Sequence, residues 1–414
     1  MLMTVDAVGA IWRYALDLAR AMQTYGVSYH LLGIGPGPDA AMIRECMEIP
    51  NVELSWTKLP LDWMVEDERA LDEVAIVISE RAQGWRADLL HLNVPSQAAG
   101  MAEGLPVVVA SHSCVATRWQ AMHSDPPPPI WRWQQDYHRA GLARADGVMV
   151  PSQSHGLAIQ TIYGTLPRLF VVANITVSIS SPVRKQPFVL SAGRWWDEGK
   201  NGAVLDEAAA HTVWSVVMAG SFDGPNGQHF VGRHAVMRGA LTAAAMLDLM
   251  RDAALFAAPS LHEPFDQAVL QAASHGAALI LADIPTFREL WDGAAVFVPA
   301  QDPLAWAGTI EKLSADAAST ARFASLARQR AAVSHQRSRR TRCCKPTPLR
   351  WQPIRATRCR PSETHFPRRS GSVRRAILKP ALAAVFRQQW PEKFGRRVKW
   401  KSLPERGTFD AAQQ

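Results

Sequence analysis

The sequence predicts an α/β protein made of two consecutive doubly wound units. Short apolar runs alternate with helix-period segments from Met1 to about Asn174, and the same rhythm restarts at Phe188 and continues to about Ala332. Between these stretches, Ser178 to Pro187 is polar and bounded by Pro, the composition of an interdomain linker. A length of 414 residues suits two domains of ordinary size plus a remainder. The boundaries read as 1–178 for the first domain, 179–187 for the linker, 188–333 for the second domain and 334–414 for a tail.

In the first domain, Met1 to Val5 reads as a strand, Asp6-Ala7-Val8-Gly9-Ala10 as a turn, and Ile11 to Tyr25 as a helix ended by Gly26. That is the first half of a doubly wound unit, with Gly9 allowing a tight turn. Strands follow at Val27 to Ile34, Val52 to Leu59, Ala87 to Val94, Pro106 to Ser111, Ala145 to Pro151 and Arg168 to Asn174. Helices are expected from about Asp67 to Trp85, from Ile130 to Ala143 and from Ser152. His112 stands at the carboxyl end of a five-residue apolar strand, where ligands bind in open α/β sheets. The bland reading of any lone His is a satisfied structural residue, and that is the reading adopted for His91.

The second domain opens with Phe188 to Ala192 as a strand. The loop Gly193-Arg194-Trp195-Trp196-Asp197-Glu198-Gly199-Lys200 follows, then a helix from Asn201 to His211. Two fixed cations at a strand's carboxyl end, Arg194 and Lys200, can hold a diphosphate and take up charge as it departs. The plain alternative is two solvated loop cations. Trp214 to Gly220 is a strand and Leu241 to Ala253 a helix. Ala254 to Ser260 is then a buried strand leading into His262-Glu263-Pro264-Phe265-Asp266-Gln267 and a helix to His275, ended by Gly276. A polar loop between a strand and a new helix offers unpaired N–H groups to an anion. Glu263 and Gln271 lie at most roughly 12 Å apart along the axis if most of the span is helical. Strands at Ala278 to Ala282 and Ala294 to Val298 follow, and helices from Asp302 to about Leu313 and from Asp316 to about Ala332 end the periodic text.

The loop at Glu263 resembles the Glu-Pro-Phe-Gly…Glu signature of the retaining glycosyltransferases of family 4, with Asp266 in place of the usual Gly and Gln271 in place of the second Glu. The resemblance covers about residues 1 to 330. It implies the GT-B fold, two Rossmann-like domains facing across a cleft. It also implies metal-independent transfer of a sugar from a nucleotide-sugar donor to a hydroxyl acceptor, with retained anomeric configuration. On this resemblance Arg194 and Lys200 bind the donor diphosphate. Glu263, Phe265, Asp266 and Gln267 surround the donor sugar, the last three through the backbone amides of the loop. His112 and Glu263 act at the reacting carbon. Gln271 stands at the ribose, and Met237 and Arg238 lie by the base. Gly9 and Ala10 form the glycine turn, where the family often has two glycines. The nucleotide-sugar is a substrate, so no cofactor is expected. Gln271 loses the charge of a carboxylate, worth roughly 1–2 kcal/mol at the ribose. A weakened or inactive relative that still binds nucleotide-sugar is therefore the alternative reading.

Apolar residues make up 48% of the chain, yet no uninterrupted apolar stretch reaches the roughly 18 residues of a membrane span, and no secretion signal is legible at the N-terminus. Five Cys lie without zinc spacing, which fits a reducing, cytoplasmic setting. The net charge of +8 is unevenly placed: 21 of the 45 Lys and Arg but only 4 of the 37 Asp and Glu lie from residue 336 onward, leaving 24 basic against 33 acidic residues before it. An acidic body argues against a nucleic-acid footprint outside the tail. The tail reads as a basic, low-order extension. Binding to nucleic acid or an anionic surface through it is a second alternative. The abrupt change near Ser334 is also what a shift of reading frame would produce, and translating the gene in the other frames beyond codon 330 would test this.

Overall fold

The computed structural model describes residues 1–176, 183–225 and 227–340, all within one compact unit. The reading of the tail beyond Arg340, including Cys343, Cys344 and Cys359, lies outside the described residues. So do residues 179–182 of the segment assigned to the linker.

The first sheet contains β1 (Leu2–Val5), β2 (Tyr29–Gly33), β3 (Val52–Trp56), β4 (Leu90–Leu92), β5 (Val107–Ala110), β6 (Gly147–Val150) and β7 (Leu169–Val171). All neighbours pair parallel, in the order β3-β2-β1-β4-β5-β6-β7. Strands such as Leu2–Val5 and Val107–Ala110 are buried at every position, as a sheet covered by helices on both faces requires. Its helices are α1 (Ala10–Met22), α2 (Ala40–Met47), α3 (Val74–Gly84), α4 (Val115–Met122), α5 (Arg132–Arg144) and α6 (Gln153–Tyr163).

The second sheet holds β8 (Gln186–Ala192), β9 (Ser215–Ala219), β10 (Val236–Gly239), β11 (Ala253–Ala258), β12 (Ala278–Ala282) and β13 (Ala295–Val298). It repeats the topology in the order β10-β9-β8-β11-β12-β13. It is covered by α7 (Gly202–Ala209), α8 (Ala243–Asp252), α9 (Gln267–Ser274), α10 (Pro285–Trp291), α11 (Pro303–Ala315) and α12 (Ala317–Arg340). Each sheet therefore reverses strand order once, between β1 and β4 and between β8 and β11. Those two points are where a crevice opens at the carboxyl ends. After β9, Gly220 takes φ +122°, and a Cβ there would stand 1.9 Å from Gly193 O after β8, so only glycine lets these two loops approach.

The structure adds elements that the sequence reading omits. α2 and α4 are eight residues each, too short to display a repeated apolar stripe. β10 is an edge strand paired only with β9, and its exposed Arg238 breaks the short apolar run. The helix expected from Asp67 divides into a 3-10 turn, Glu68–Leu71, and α3, because in that acidic run only Leu71 is buried before Val74. β8 begins at Gln186, inside the segment assigned to the linker, and α12 continues to Arg340 rather than ending near Ala332. Ala327 and Ala331 of α12 are buried in the core of the second sheet.

The two sheets are tied together at several points. The Glu289 carboxylate of α10 accepts from the first amides of α6, Gln153 N and Ser154 N, each at 2.7 Å, and so serves as that helix's cap from the other half. Arg118 of α4 donates to Asp197 at 2.5 Å, and Trp63 stacks on Trp196 with centroids 6.5 Å apart.

Candidate functional site

The loops that follow β8 and β11 flank the switch point of the second sheet, and they bring the predicted charges together. Lys200 ends a 3-10 turn, Glu198–Lys200, capped by Asp197, whose Oδ1 accepts from Gly199 N at 3.0 Å. From there Lys200 Nζ donates to Glu263 Oε1 and lies 3.6 Å from Asp266 Oδ2. These side chains are 17%, 10% and 4% exposed, respectively, too little for any of the charges to be left to water alone. Burial works against the Lys200 ammonium, but Asp266 and Glu263 outweigh it and raise its pKa. Burial also holds Glu263 above the ordinary carboxylate value; Lys200 opposes this and the Asp266 charge adds to it.

Arg194 starts on the same loop and reaches the first half. A Cβ on Gly9 would stand 3.2 Å from the Arg194 guanidinium, which also lies over Trp196 at 5.4 Å and 3.4 Å from Asp197 Oδ2. Gly9 caps α1 with an extended backbone, φ −128°, so it is the approach of Arg194, not a left-handed conformation, that suits glycine there. Ala10 is the first residue of α1. Asp6 Oδ1 accepts from Val8 N and Gly9 N, both at 3.0 Å, and fixes this turn.

His112 follows β5. Asn93, at the end of β4, donates from Nδ2 to Thr4 O at 2.6 Å, so its Oδ1 faces His112 Nε2 at 2.9 Å. A carbonyl oxygen only accepts, so Nε2 carries the proton and Nδ1 holds the free lone pair. Thr4 Oγ1 accepts from Asn93 N at 2.9 Å and donates to Gln97 Oε1 at 2.6 Å, which locks Asn93 in turn. Burial, with His91 and His155 adding to it, lowers His112 to about 3, and the imidazole is neutral near pH 7. His91 is buried and meets Tyr14 Oη at 3.3 Å, the structural role the sequence reading gave it.

The side chains of Phe265 and Gln267 are turned elsewhere. Phe265 is 6% exposed and belongs to the core of the second sheet. Gln267 donates from Nε2 to Ile175 O at 2.8 Å, tying the loop to the end of the first half. Asp266 takes φ +68° and ψ +96°, a backbone that favours glycine. Its Oδ1 accepts from Ala268 N at 2.9 Å and Val269 N at 3.2 Å. The carboxylate thus caps α9 rather than pointing outward, and it occupies amides that the sequence reading left open to a ligand. Gln271 lies one turn along α9, partly buried. Met237 packs against the core from β10, and Arg238 beside it is exposed.

The sequence reading did not single out Asp6, Asn93, Arg118 or Asp197. Asn93 and Asp6 each stand directly after a strand at the first sheet's switch point, a position that could have marked them. Arg118 gave no signal, because α4 itself was not legible.

Two family models match the chain, one described as Glycosyltransferase Family 4 over residues 11–175 and one described as Glycosyl transferases group 1 over residues 186–316. A search of curated protein sequences found no match. Among solved structures, the chain is similar to sucrose-phosphate synthase from Thermosynechococcus elongatus, at 14% identity and a TM-score of 0.65 over 83% of this chain and 98% of that one. It is similar to the HepE protein of Anabaena in complex with UDP-glucose, at 17% identity and a TM-score of 0.59 over 82% and 99%. WaaG, a glycosyltransferase involved in lipopolysaccharide biosynthesis, matches at 15% identity and a TM-score of 0.60 over 80% and 95%. At such identities these structures speak for the fold alone, two Rossmann-like domains in the GT-B arrangement. The two family models, one on each sheet, together with the fold identify the chain as a glycosyltransferase of GT-B fold like those of family 4.

Proposed function

We propose that the protein transfers a sugar from a nucleotide-sugar to a hydroxyl acceptor, with retained anomeric configuration and without a metal. The observation that carries this reading is the Lys200–Glu263 pair at the second sheet's switch point, with Arg194 on the same loop. Arg194 and Lys200 hold the donor diphosphate and stabilise the charge that develops as it leaves. Lys200 is neutralised by Glu263 and Asp266, and a bound diphosphate takes over part of that role. Glu263 is then free to accept hydrogen bonds from donor-sugar hydroxyls. The backbone of Phe265 to Gln267 lines the sugar, Gln271 meets the ribose, and Met237 and Arg238 border the base. Neutral His112 offers the Nδ1 lone pair toward the reacting sugar from the first half, and the Gly9–Ala10 turn closes against the diphosphate.

Solved neighbours are complexes of HepE with UDP and with UDP-glucose, which makes UDP-glucose the first donor to try. No helix among the described residues is long and apolar enough to cross a membrane. The test is incubation with UDP-, GDP- and ADP-sugars, following release of nucleoside diphosphate by phosphorus NMR and the anomeric configuration of product by proton NMR. Inverted product removes the retaining mechanism, and no consumption of any donor removes the transferase reading.

A second reading, binding of nucleotide-sugar without turnover, is favoured by Gln271 and by the extra carboxylate of Asp266. Calorimetry that shows donor binding by a protein unable to hydrolyse or transfer that donor selects it.

A further inference from the structure

Asp197 is shared between the two halves. Its Oδ1 accepts from Arg118 of α4 at 2.5 Å and from Gly199 N at 3.0 Å, while its Oδ2 lies 3.4 Å from Arg194. The Asp197 side chain is 12% exposed and that of Arg118 is 35% exposed. The loop is pressed onto the same helix. A Cβ on Gly199 would stand 3.3 Å from Arg118 Nε and 3.4 Å from Met122 Sδ, and Gly199 O accepts from Leu261 N at 2.9 Å. α4 begins at Val115, three residues after His112. One short helix thus connects the end of β5 to the loop that carries both cations.

One carboxylate with two guanidinium partners sets up a competition. The Arg118 contact is short and shares its oxygen with a backbone amide, whereas the Arg194 contact is long. We propose that Arg118 is a positioning residue for the donor site: by holding Asp197 it leaves Arg194 available to a nucleoside diphosphate. The inference rests on the reading that Arg194 binds the donor diphosphate. Without Arg118, Asp197 turns fully to Arg194, and the diphosphate must displace a paired cation. Because Arg118 comes from the first half, this links the approach of the halves to donor affinity.

The test is calorimetric titration of UDP, GDP and ADP into the full chain, using whichever binds most tightly, for wild type, Arg118→Ala, Arg118→Lys, Asp197→Asn and Arg118→Ala/Asp197→Asn. Arg118→Ala is expected to weaken binding about tenfold and Arg118→Lys about threefold, since lysine keeps a charge but not the fork. Adding Asp197→Asn to Arg118→Ala should restore affinity to within about threefold of wild type, because Asn still accepts from Gly199 N but no longer sequesters Arg194. Asp197→Asn alone should bind as well as wild type or better. Unchanged thermal midpoints establish that the variants fold. Binding by Arg118→Ala equal to wild type, or further weakening in the double variant as expected of a mere brace, overturns the inference. If the wild type binds none of the three nucleotides, the donor-site reading itself falls, and this inference with it.

Discussion

Asp266→Gly is the most informative single change in the donor site. Asp266 sits at φ +68°, caps α9 through Ala268 N and Val269 N, and places its second oxygen 3.6 Å from Lys200. Replacing Asp by Gly at a helix cap costs only a few tenths of a kcal/mol. Gly loses about 1 kcal/mol through backbone entropy, while relief of the positive φ returns about 1 kcal/mol or more. The stability change is therefore expected within about 1 kcal/mol of zero. Ligand affinity should move more. Unit charges 3.6 Å apart at an effective dielectric near 20 interact by about 4–5 kcal/mol before solvation is counted. If about a third of that competes with a diphosphate for Lys200, removing the carboxylate tightens nucleoside diphosphate binding by about 1.5 kcal/mol, roughly tenfold. Titration calorimetry on wild type and variant, with a thermal melt of each, reads both quantities. Weaker binding by a variant of unchanged midpoint would refute the reasoning, since it would mean that the carboxylate helps to build the ligand site.

Gln271→Glu should tighten nucleoside diphosphate binding about tenfold by restoring a charged acceptor for the ribose, and a matching gain for inorganic pyrophosphate, which has no ribose, would contradict that. Lys200→Ala leaves Glu263 and Asp266 buried without their cation and should cost about 3–5 kcal/mol of stability, visible in urea melts; Lys200→Ala/Glu263→Gln/Asp266→Gly should recover most of this. Acid should destabilise the fold through four enclosed histidines: burial lowers His91 and His262 to about 4 and His112 and His155 to about 3, against 6.5 in the unfolded chain. Their contribution is fully present above pH 6.5 and is lost as pH falls toward 4 for His91 and His262 and toward 3 for His112 and His155, by about 1.4 kcal/mol per histidine per pH unit at most, with Asp17, raised by burial to about 6, acting in the opposite sense. A thermal midpoint that stays level from pH 7 to pH 5 would count against these assignments. His112→Ala should lower kcat at least a hundredfold with little change in nucleotide affinity, and an equal loss in both would point to a binding role.

The parts of the fold that the sequence displays are those where one force acts alone. Fully buried parallel strands such as Val107–Ala110 are unbroken apolar runs, and the Gly276 and Asp302–Pro303 helix boundaries follow from backbone geometry. α4 and β10 were not legible because each is short and half exposed, so neither leaves a repeating apolar pattern. At the candidate site the pairing of Lys200 with Glu263 follows from the two loops sharing a switch point, which strand order dictates. The role of Asp266 could not be read in the same way. Its side chain folds back onto its own helix, an outcome of one torsion and not of residue type. Arg118 and Asn93 act through contacts with other elements, 79 residues away for Arg118–Asp197 and 19 for Asn93–His112, and no local pattern announces such partners.

Arg194 offers the most direct test of the donor site, since its side chain is 39% exposed and Asp197 keeps Arg118 as a partner when it is removed. Titrating UDP, GDP and ADP into the wild type and Arg194→Ala should show micromolar binding of at least one nucleotide, weakened tenfold or more by the substitution. Equal affinity in both proteins, or no binding to either, would contradict a nucleotide-sugar site at this crevice.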